Sequence, residues 1–466
     1  MTTTDFANYV SPLSWRYGSS DMRRIFSEHH KYELWRKIWV ALARAQYKAG
    51  LVSKEELSDL EGHETDIEIE EILKIEKETH HDVVAAIAEF AEKAKTGGGK
   101  IHLGATSMDI VDNADAVRIS EALTLTEKNV SALLAAFANL IDVHALLVCM
   151  GYTHLQPAEP TTVGYRLAMY AQDLLTDLSL LRFVRSKQKG KGMKGAVGTR
   201  ASYSAVMEGQ KGSAGSLDES VMETLGIKGA LITNQVYPRK YDYLVLSLLA
   251  SIASSVARFA GDLRILQSPG IGEWSEPFGK KQVGSSAMPF KRNPVNSEKI
   301  CSLARYIEAL PAVALQNATL NYLERTLDDS ANKRLIISEG FIALDEILLT
   351  AQKIVDGLGV HTERIAYNVS QYAPFAATEV LLIKLVKKGA NRQDMHELLR
   401  TVSMESWKMV TEGKPNPMSG LLSANATIRS YLTKDEIQAS LDVSHHIGDA
   451  PKRAKQLAVE IRKEIS

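Results

Sequence analysis

The chain has 466 residues, and 55 Lys and Arg against 56 Asp and Glu leave a formal charge of −1 with histidines neutral. That balance excludes a general polyanion binder and an acidic-tail protein, and 45% hydrophobic with 24% charged residues excludes disordered, collagenous and low-complexity classes. At about 150 residues per domain the length suits roughly three domains. The start, MTTTDFANYV, has no basic segment leading into an apolar core. The richest apolar stretch, near 243–260, is interrupted by Ser247, Ser251, Ser254, Ser255 and Arg258. A soluble, cytoplasmic protein is expected. Cys149 and Cys301 lie far apart with no CxxC or Cys/His spacing, so neither a disulfide scaffold nor a zinc site is indicated, and both read as buried thiols.

Along the chain, Ser53-Lys-Glu-Glu56 fits a capping box at a helix start, as does Thr433-Lys-Asp-Glu436. No proline occurs between Pro12 and Pro157 or between Pro160 and Pro238, which permits long uninterrupted helices. Sustained period-2 alternation is hard to find. The stretch 190–216, rich in Gly, Lys and Ser, is irregular and reads equally as functional or as disordered. Residues 241–267 carry apolar or small side chains around most of a helical circumference, as a helix enclosed by other helices should. From Ser268 to Pro294, four Gly and four Pro fall in 27 residues; with Trp274, Phe278, Met288 and Phe290 inside it, this is read as a functional loop in preference to a disordered linker. Helical spacing returns from Leu335 to Leu358, with Gly357 and Gly359 as a stop. The chain divides into a helical N-terminal domain (1–108), a long-helix middle domain (109–360) and a helical C-terminal domain (361–466). No internal repeat is found.

Gly190-Lys-Gly192-Met-Lys-Gly195 matches GxGxxG, but it follows a helical run instead of a strand and is rejected as a dinucleotide site. There is no GxxxxGK[ST], HExxH or GxSxG, which leaves metal-free acid–base chemistry, with no cofactor. Four patches hold polar groups that a packed helix would not choose: His80-His81-Asp82; His102-Leu-Gly-Ala-Thr106-Ser107 followed by Asp109, Asp112 and Asn113; Thr153-His154-Leu-Gln156; and the run from Gly284 through Ser285, Ser286, Lys291 and Asn293. Any one histidine reads first as a hydrogen-bonded or surface group, and the serine pair alone also reads as a turn or a helix cap. Their conjunction with ERTLDDSANKR (324–334) shifts the balance. That string would put Arg325, Asp329 and Lys333 on one helix face, either as a site or as a solvated ion-paired face.

GSSAMPFKRNP resembles the signature loop of the fumarase/aspartase superfamily, GSSxMPxKxNP, whose members cleave C–N or C–O bonds to release fumarate or a close relative. Within it the remaining motifs are similar to those of the adenylosuccinate lyase family: Ser14-Trp-Arg16-Tyr17, His81-Asp82, HLGATS, THLQPAEPTTVG, Gln235 in ITNQVYPRK, and ERTLDDSANKR. The resemblance runs in order from about residue 11 to about 400; the last 60 or so residues carry no recognised motif. It implies an all-α fold of three helical domains with a central long-helix bundle, a homotetramer with shared active sites, and a purine-pathway elimination of fumarate from adenylosuccinate and from succinylaminoimidazole carboxamide ribotide. By the same resemblance Ser285 is the general base and His154 the general acid. Lys291 and Asn293 meet the developing carboxylate charge, and Thr106 and Ser107 bind the succinyl carboxylates. His81 and Asp82 place His154 or the substrate, Gln235 contacts the nucleotide, and Arg16, Tyr17, Arg325, Ser330 and Arg334 form a phosphate pocket. His80 stands where the family commonly has Arg, and Lys299 where a substrate-contacting Arg is expected; Lys keeps the charge and loses the planar fork.

Two other readings compete. A superfamily lyase acting on argininosuccinate, aspartate or malate would have no use for so many anion donors in ERTLDDSANKR and Arg16-Tyr17. A non-catalytic helical scaffold would be free to lose Ser285, His154 and Lys291, yet all three are present.

Overall fold

The computed structural model describes residues 7–466, apart from the His445 side chain. The N-terminal segment read as free of a targeting signal falls mostly outside them. Local start and stop signals set the helices. In α1 (Glu28–Ala49) the Ser27 hydroxyl accepts from the His30 N–H at 3.2 Å, and the helix stops at Gly50, whose φ of 93° is one that a residue without Cβ adopts freely. Its buried face carries Trp35, Ile38, Trp39 and Leu42. Both expected capping boxes form, Ser53 with Glu56 and Thr433 with Glu436. There follow α2 (Asp82–Lys93), α3 (Ser107–His144), a hairpin of β1 (Val148–Thr153) and β2 (Gln156–Thr162), then α4 (Val163–Lys187) and α5 (Lys240–Leu266). The two-residue β3 (Trp274–Ser275) precedes α6 (Val295–Thr319), α7 (Ser330–Asp356), the two-residue β4 (Gly359–Val360) and α8 (Thr362–Ala376), with further short helices to the C-terminus.

Among the described residues the molecule is thus all-α apart from two small antiparallel pairs, β1 with β2 and β3 with β4, and an isolated parallel bridge between Gly190 and Gly229. The expected helices over 241–267 and 335–358 are α5 and α7. Helix α5 is long and apolar enough to cross a bilayer by length and composition, but Leu246, Leu249, Ile252, Ala253, Phe259 and Leu263 are buried in the protein. The hairpin was not foreseen, because its strands are short and β2 contains two prolines.

The chain forms two compact units. The first comprises the described residues up to Val130, Asp177–Ser254 and Ser302–Leu349; the second comprises Ser131–Thr176, Ser255–Cys301 and Thr350–Ser466. In the first, α1 and α2 pack with the start of α3 around Trp35, Trp39, Phe90 and Ile110. In the second, a C-terminal cluster gathers Leu381, Leu385, Met395, Leu422 and Ile437. Cys149 is buried as expected; Cys301 is only half-buried.

Strand pairing of Thr153 with Gln156 leaves His154 and Leu155 as a two-residue loop, and their φ values of 54° and 60° are the signature of a type I′ turn. Asn-Gly is the usual occupant. A non-glycine residue in this region costs roughly 1–2 kcal/mol.

Candidate active site

In the first unit, polar residues from distant parts of the sequence meet at helix starts. His81 caps α2, its Nδ1 accepting from the Val84 N–H at 3.4 Å, so the ring proton lies on Nε2. Asp82, the first residue of α2, accepts from Arg334 of α7 at 3.1 Å. Helix α3 opens at Ser107; the hydroxyls of Thr106 and Ser107 have no hydrogen-bond partner among the described residues and lie at a helix N-terminus, where the dipole favours an anion. The Thr106 N–H donates to Asp109 at 3.0 Å. Gln235 joins the ERTLDD string through its backbone N–H, which reaches the Glu324 carbonyl at 3.1 Å. Arg16 is exposed and Tyr17 half-buried, just before the first long helix, and His80 is exposed with φ 53°. Ser330 opens α7.

Beneath these groups lies a set of buried charges. Arg239 donates to Asp329 at 2.5 Å and to both oxygens of Asp112 at 3.1 Å, while Lys333 bonds Asp115 at 2.6 Å. Burial alone would lower the Lys333 pKa, but Asp115 and Asp112 outweigh it and hold the ammonium above its ordinary value. Burial likewise pushes Asp115 up, and Lys333 with Arg118 brings it below the ordinary carboxylate range. A second set surrounds Asp109, which pairs with Lys191 and accepts from the Lys194 N–H at 3.1 Å and the Tyr203 hydroxyl at 3.1 Å. The Gly-rich run at 190–195 is therefore ordered and buried, holding the α3 start from below.

These contacts correct the helix-face reading of 324–334. Helix α7 begins only at Ser330, so Arg325 and Asp329 lie in the turn before it, and Asp329 and Lys333 are 2% and 7% exposed. The string is neither one helical face nor a solvated one, because Arg239, a residue outside it, draws Asp329 inward. Arg325 remains half-buried, 3.6 Å from Asp329, with its buried Nη1 making no hydrogen bond. That nitrogen is the one that faces the Asp329 carboxylate as an ion pair. Arg239 itself was quoted in ITNQVYPRK but not singled out; a lone Arg in a loop gives no signal of burial.

The second unit carries His154 and the signature loop. His154 is exposed at the hairpin tip and its ring has no hydrogen-bond partner among the described residues. The hairpin stem is fixed by Arg166, which donates to the Met150 carbonyl and to Glu273 at 2.9 Å; Glu273 also accepts from Asn368 at 3.0 Å and from the Tyr152 hydroxyl at 3.4 Å. Glu273 adjoins β3, where the signature loop leaves the fold. The loop returns through Glu276, which accepts from the Asn296 N–H at 3.2 Å and the Ser297 N–H at 2.5 Å and so caps α6. Between these anchors the Asn293 amide donates to the Gly284 carbonyl at 3.1 Å, and a Cβ on Gly284 would lie 2.0 Å from the Lys291 carbonyl, so only glycine fits. The Ser285 Oγ accepts from the Ala287 and Met288 N–H groups at 3.3 and 3.1 Å. Lys291 is exposed and Lys299 half-buried on α6.

The lyase family profile matches residues 16–308, and that of the adenylosuccinate lyase C-terminus matches 374–457. The latter match covers most of the tail in which no motif was recognised. Adenylosuccinate lyase of Schistosoma mansoni is 38% identical over 99% of this chain and 96% of its own length. Those of Saccharomyces cerevisiae and Pyrococcus abyssi are 36% and 37% identical, covering 99% and 95% of this chain and 96% and 95% of their own. Among solved structures, 3-carboxy-cis,cis-muconate lactonizing enzyme from Pseudomonas putida superposes with a TM-score of 0.84 at 23% identity, over 97% of this chain and 98% of that one. Fumarate lyase from Mesorhizobium sp. BNC1 gives 0.82 at 20%, over 97% and 99%. These two likenesses concern the fold.

His102 was quoted within HLGATS but not chosen as a site residue. Its Nδ1 accepts from the Trp39 indole N–H at 3.0 Å, which requires that nitrogen to be unprotonated. Burial lowers its pKa from 6.5 to about 4, partly opposed by Asp109 and reinforced by His81. Between those values the unfolded chain binds more protons than the folded one, so this group destabilises the fold as pH falls from 6.5 toward 4. His102→Asn, which also accommodates the left-handed φ of 67°, should show a shallower fall in melting temperature across that window than the wild type. Parallel pH curves for the two proteins would contradict this assignment.

Proposed function

From a chain that belongs to the adenylosuccinate lyase family, we infer a carbon–nitrogen lyase that eliminates fumarate from adenylosuccinate, leaving AMP, and from succinylaminoimidazole carboxamide ribotide, leaving the free carboxamide ribotide. The observation that carries this reading at the level of chemistry is the signature loop, in which a serine oxygen faces two backbone N–H donors. Elimination requires a proton to leave the carbon beside a carboxylate and the departing nitrogen to be protonated. Serine is a weak base in water. Hydrogen bonds from Ala287 and Met288 favour its charged form. Ser285 takes the carbon proton; the electron pair left behind spreads into the carboxylate, whose charge is met by Thr106 and Ser107 at the α3 start and by Lys291. His154 gives its proton to the nitrogen as the C–N bond breaks, with His81 placing the reacting groups.

Arg325, Arg334 and Arg16, with Tyr17 and Ser330, bind the phosphate, and Gln235 the nucleotide portion. The pair of guanidinium groups flanking the start of α7, Arg325 and Arg334, supports that assignment over argininosuccinate, aspartate or malate, which bring no phosphate. Arg334 donates to Asp82, and the Asn293 amide to the Gly284 carbonyl, which leaves each with further donors for substrate. His80 and Lys299 contribute contacts of altered shape. We further propose that the enzyme is cytoplasmic, organised as domains 1–108, 109–360 and 361–466, and works without a cofactor as a homotetramer with sites shared between chains. The presence of His154, Ser285 and Lys291 together supports an enzyme over a scaffold.

Ser285→Ala should lower kcat by ~10²–10⁴-fold, the usual contribution of a positioned base, while calorimetry still detects adenylosuccinate, since the phosphate contacts remain. Wild-type turnover in this variant would show that another group is the base. Shared sites lead to a second expectation. His154→Ala and Ser285→Ala, each inactive alone, should recover roughly a quarter of wild-type sites when co-expressed, because a symmetric hybrid can draw its His from one chain and its Ser from another. Hybrid tetramers confirmed by mass but devoid of fumarate release would show that acid and base come from one chain.

A further inference from the structure

The tip of the β1–β2 hairpin combines two unfavourable features that its own neighbourhood does not compensate. Leu155 has φ 60° and is 65% exposed. Among non-glycine residues the left-handed region is visited chiefly by Asn, Asp and His, whose short polar side chains bond locally; leucine has no such atom. A single exposed leucine is ordinary on a protein surface, but one that is also held in a strained turn is not, and glycine in its place would remove both costs.

The hydrogen-bonded ties of the hairpin end just below this residue. The stem is tied by Arg166 to the Met150 carbonyl and to Glu273, and by Tyr152 to Glu273. Beyond the Thr153–Gln156 pair nothing in the hairpin holds the His154 ring, which has no hydrogen-bond partner among the described residues. A general acid must nonetheless come within hydrogen-bond reach of the atom it protonates.

We propose that Leu155 is a positioning residue for proton transfer by His154: its side chain is covered when the site is filled, and that contact holds the hairpin tip where the His154 ring meets the departing nitrogen. The proposal rests on the reading of His154 as the acid. Strain at the free tip is then the cost of presenting a large apolar group at the only place where it can fix its neighbour.

The test compares Leu155→Gly, Leu155→Met and His154→Ala for melting temperature, kcat and KM with adenylosuccinate. Leu155→Gly should melt no lower than wild type, since it relieves the turn, yet lose about 10- to 100-fold in kcat, the scale of a small misplacement of a catalytic group, with KM little changed. Leu155→Met, apolar and of similar volume, should keep kcat within a few-fold. A Leu155→Gly protein with wild-type kcat overturns the proposal, and so does one that melts lower or fails to fold, because Leu155 would then serve the hairpin itself. His154→Ala with wild-type turnover would refute the acid assignment; loss of turnover there alongside full activity in Leu155→Gly would refute the role of Leu155 alone.

Discussion

Charge taken out of water has to be neutralised where it lies, and in the first unit this requirement ties together segments more than two hundred residues apart. Asp112 and Asp115 come from α3, Arg239 from the turn before α5, Asp329 from the turn before α7 and Lys333 from its first turn, and all but Asp115 are nearly inaccessible to solvent. Each ion would cost several kcal/mol if buried alone. The set therefore forms as a whole, and when it forms it brings the start of α7 and the 235–239 turn to α3. Gln235, Arg325 and Ser330, half-buried, and the exposed Arg334 adjoin that knot in sequence, on a base that cannot shift without exposing a charge. Asp109 and Lys191 play the corresponding part beneath Thr106 and Ser107.

The second unit uses the same principle more sparingly. A buried pair, Arg166 with Glu273, secures the stem of the hairpin and the root of the signature loop together. Neither the hairpin tip nor the loop crest has such an anchor, and the proposed acid and base are placed on these two less restrained segments. Proposed binding groups over a charged base, and a proposed acid and base on loops tied at their roots, suit an enzyme that admits a nucleotide and then excludes water.

Much of this was legible in the residues, and the exceptions have physical reasons. Helices α5 and α7 and the capping boxes at Ser53 and Thr433 follow from local spacing, which the fold did not override. The loop from Ser268 to Pro294 was marked by its Gly and Pro content. The hairpin escaped notice because a type I′ turn built from His-Leu lacks the Asn-Gly signal and prolines interrupt the second strand. Helical periodicity carried through Arg325 and Asp329 was misleading, since the turn before α7 is set by Asp329 pairing with Arg239, a contact 90 residues away in sequence. Burial of Arg239, Lys191 and Lys194 has no sequence signature, because a charged residue with a distant partner reads as a surface residue. The C-terminal helices carry apolar core positions such as Leu381, Met395 and Ile437 and no polar constellation, so their family character became visible only by comparison along 374–457.

The most direct measurement is incubation of the purified protein with adenylosuccinate, following ultraviolet absorbance and quantifying the products by chromatography. AMP and fumarate appearing in equal amounts as adenylosuccinate disappears is the expected result. Adenylosuccinate left intact by folded protein, with fumarate instead released from a phosphate-free substrate such as argininosuccinate, aspartate or malate, would contradict the assignment of Arg325 and its neighbours to a nucleotide phosphate.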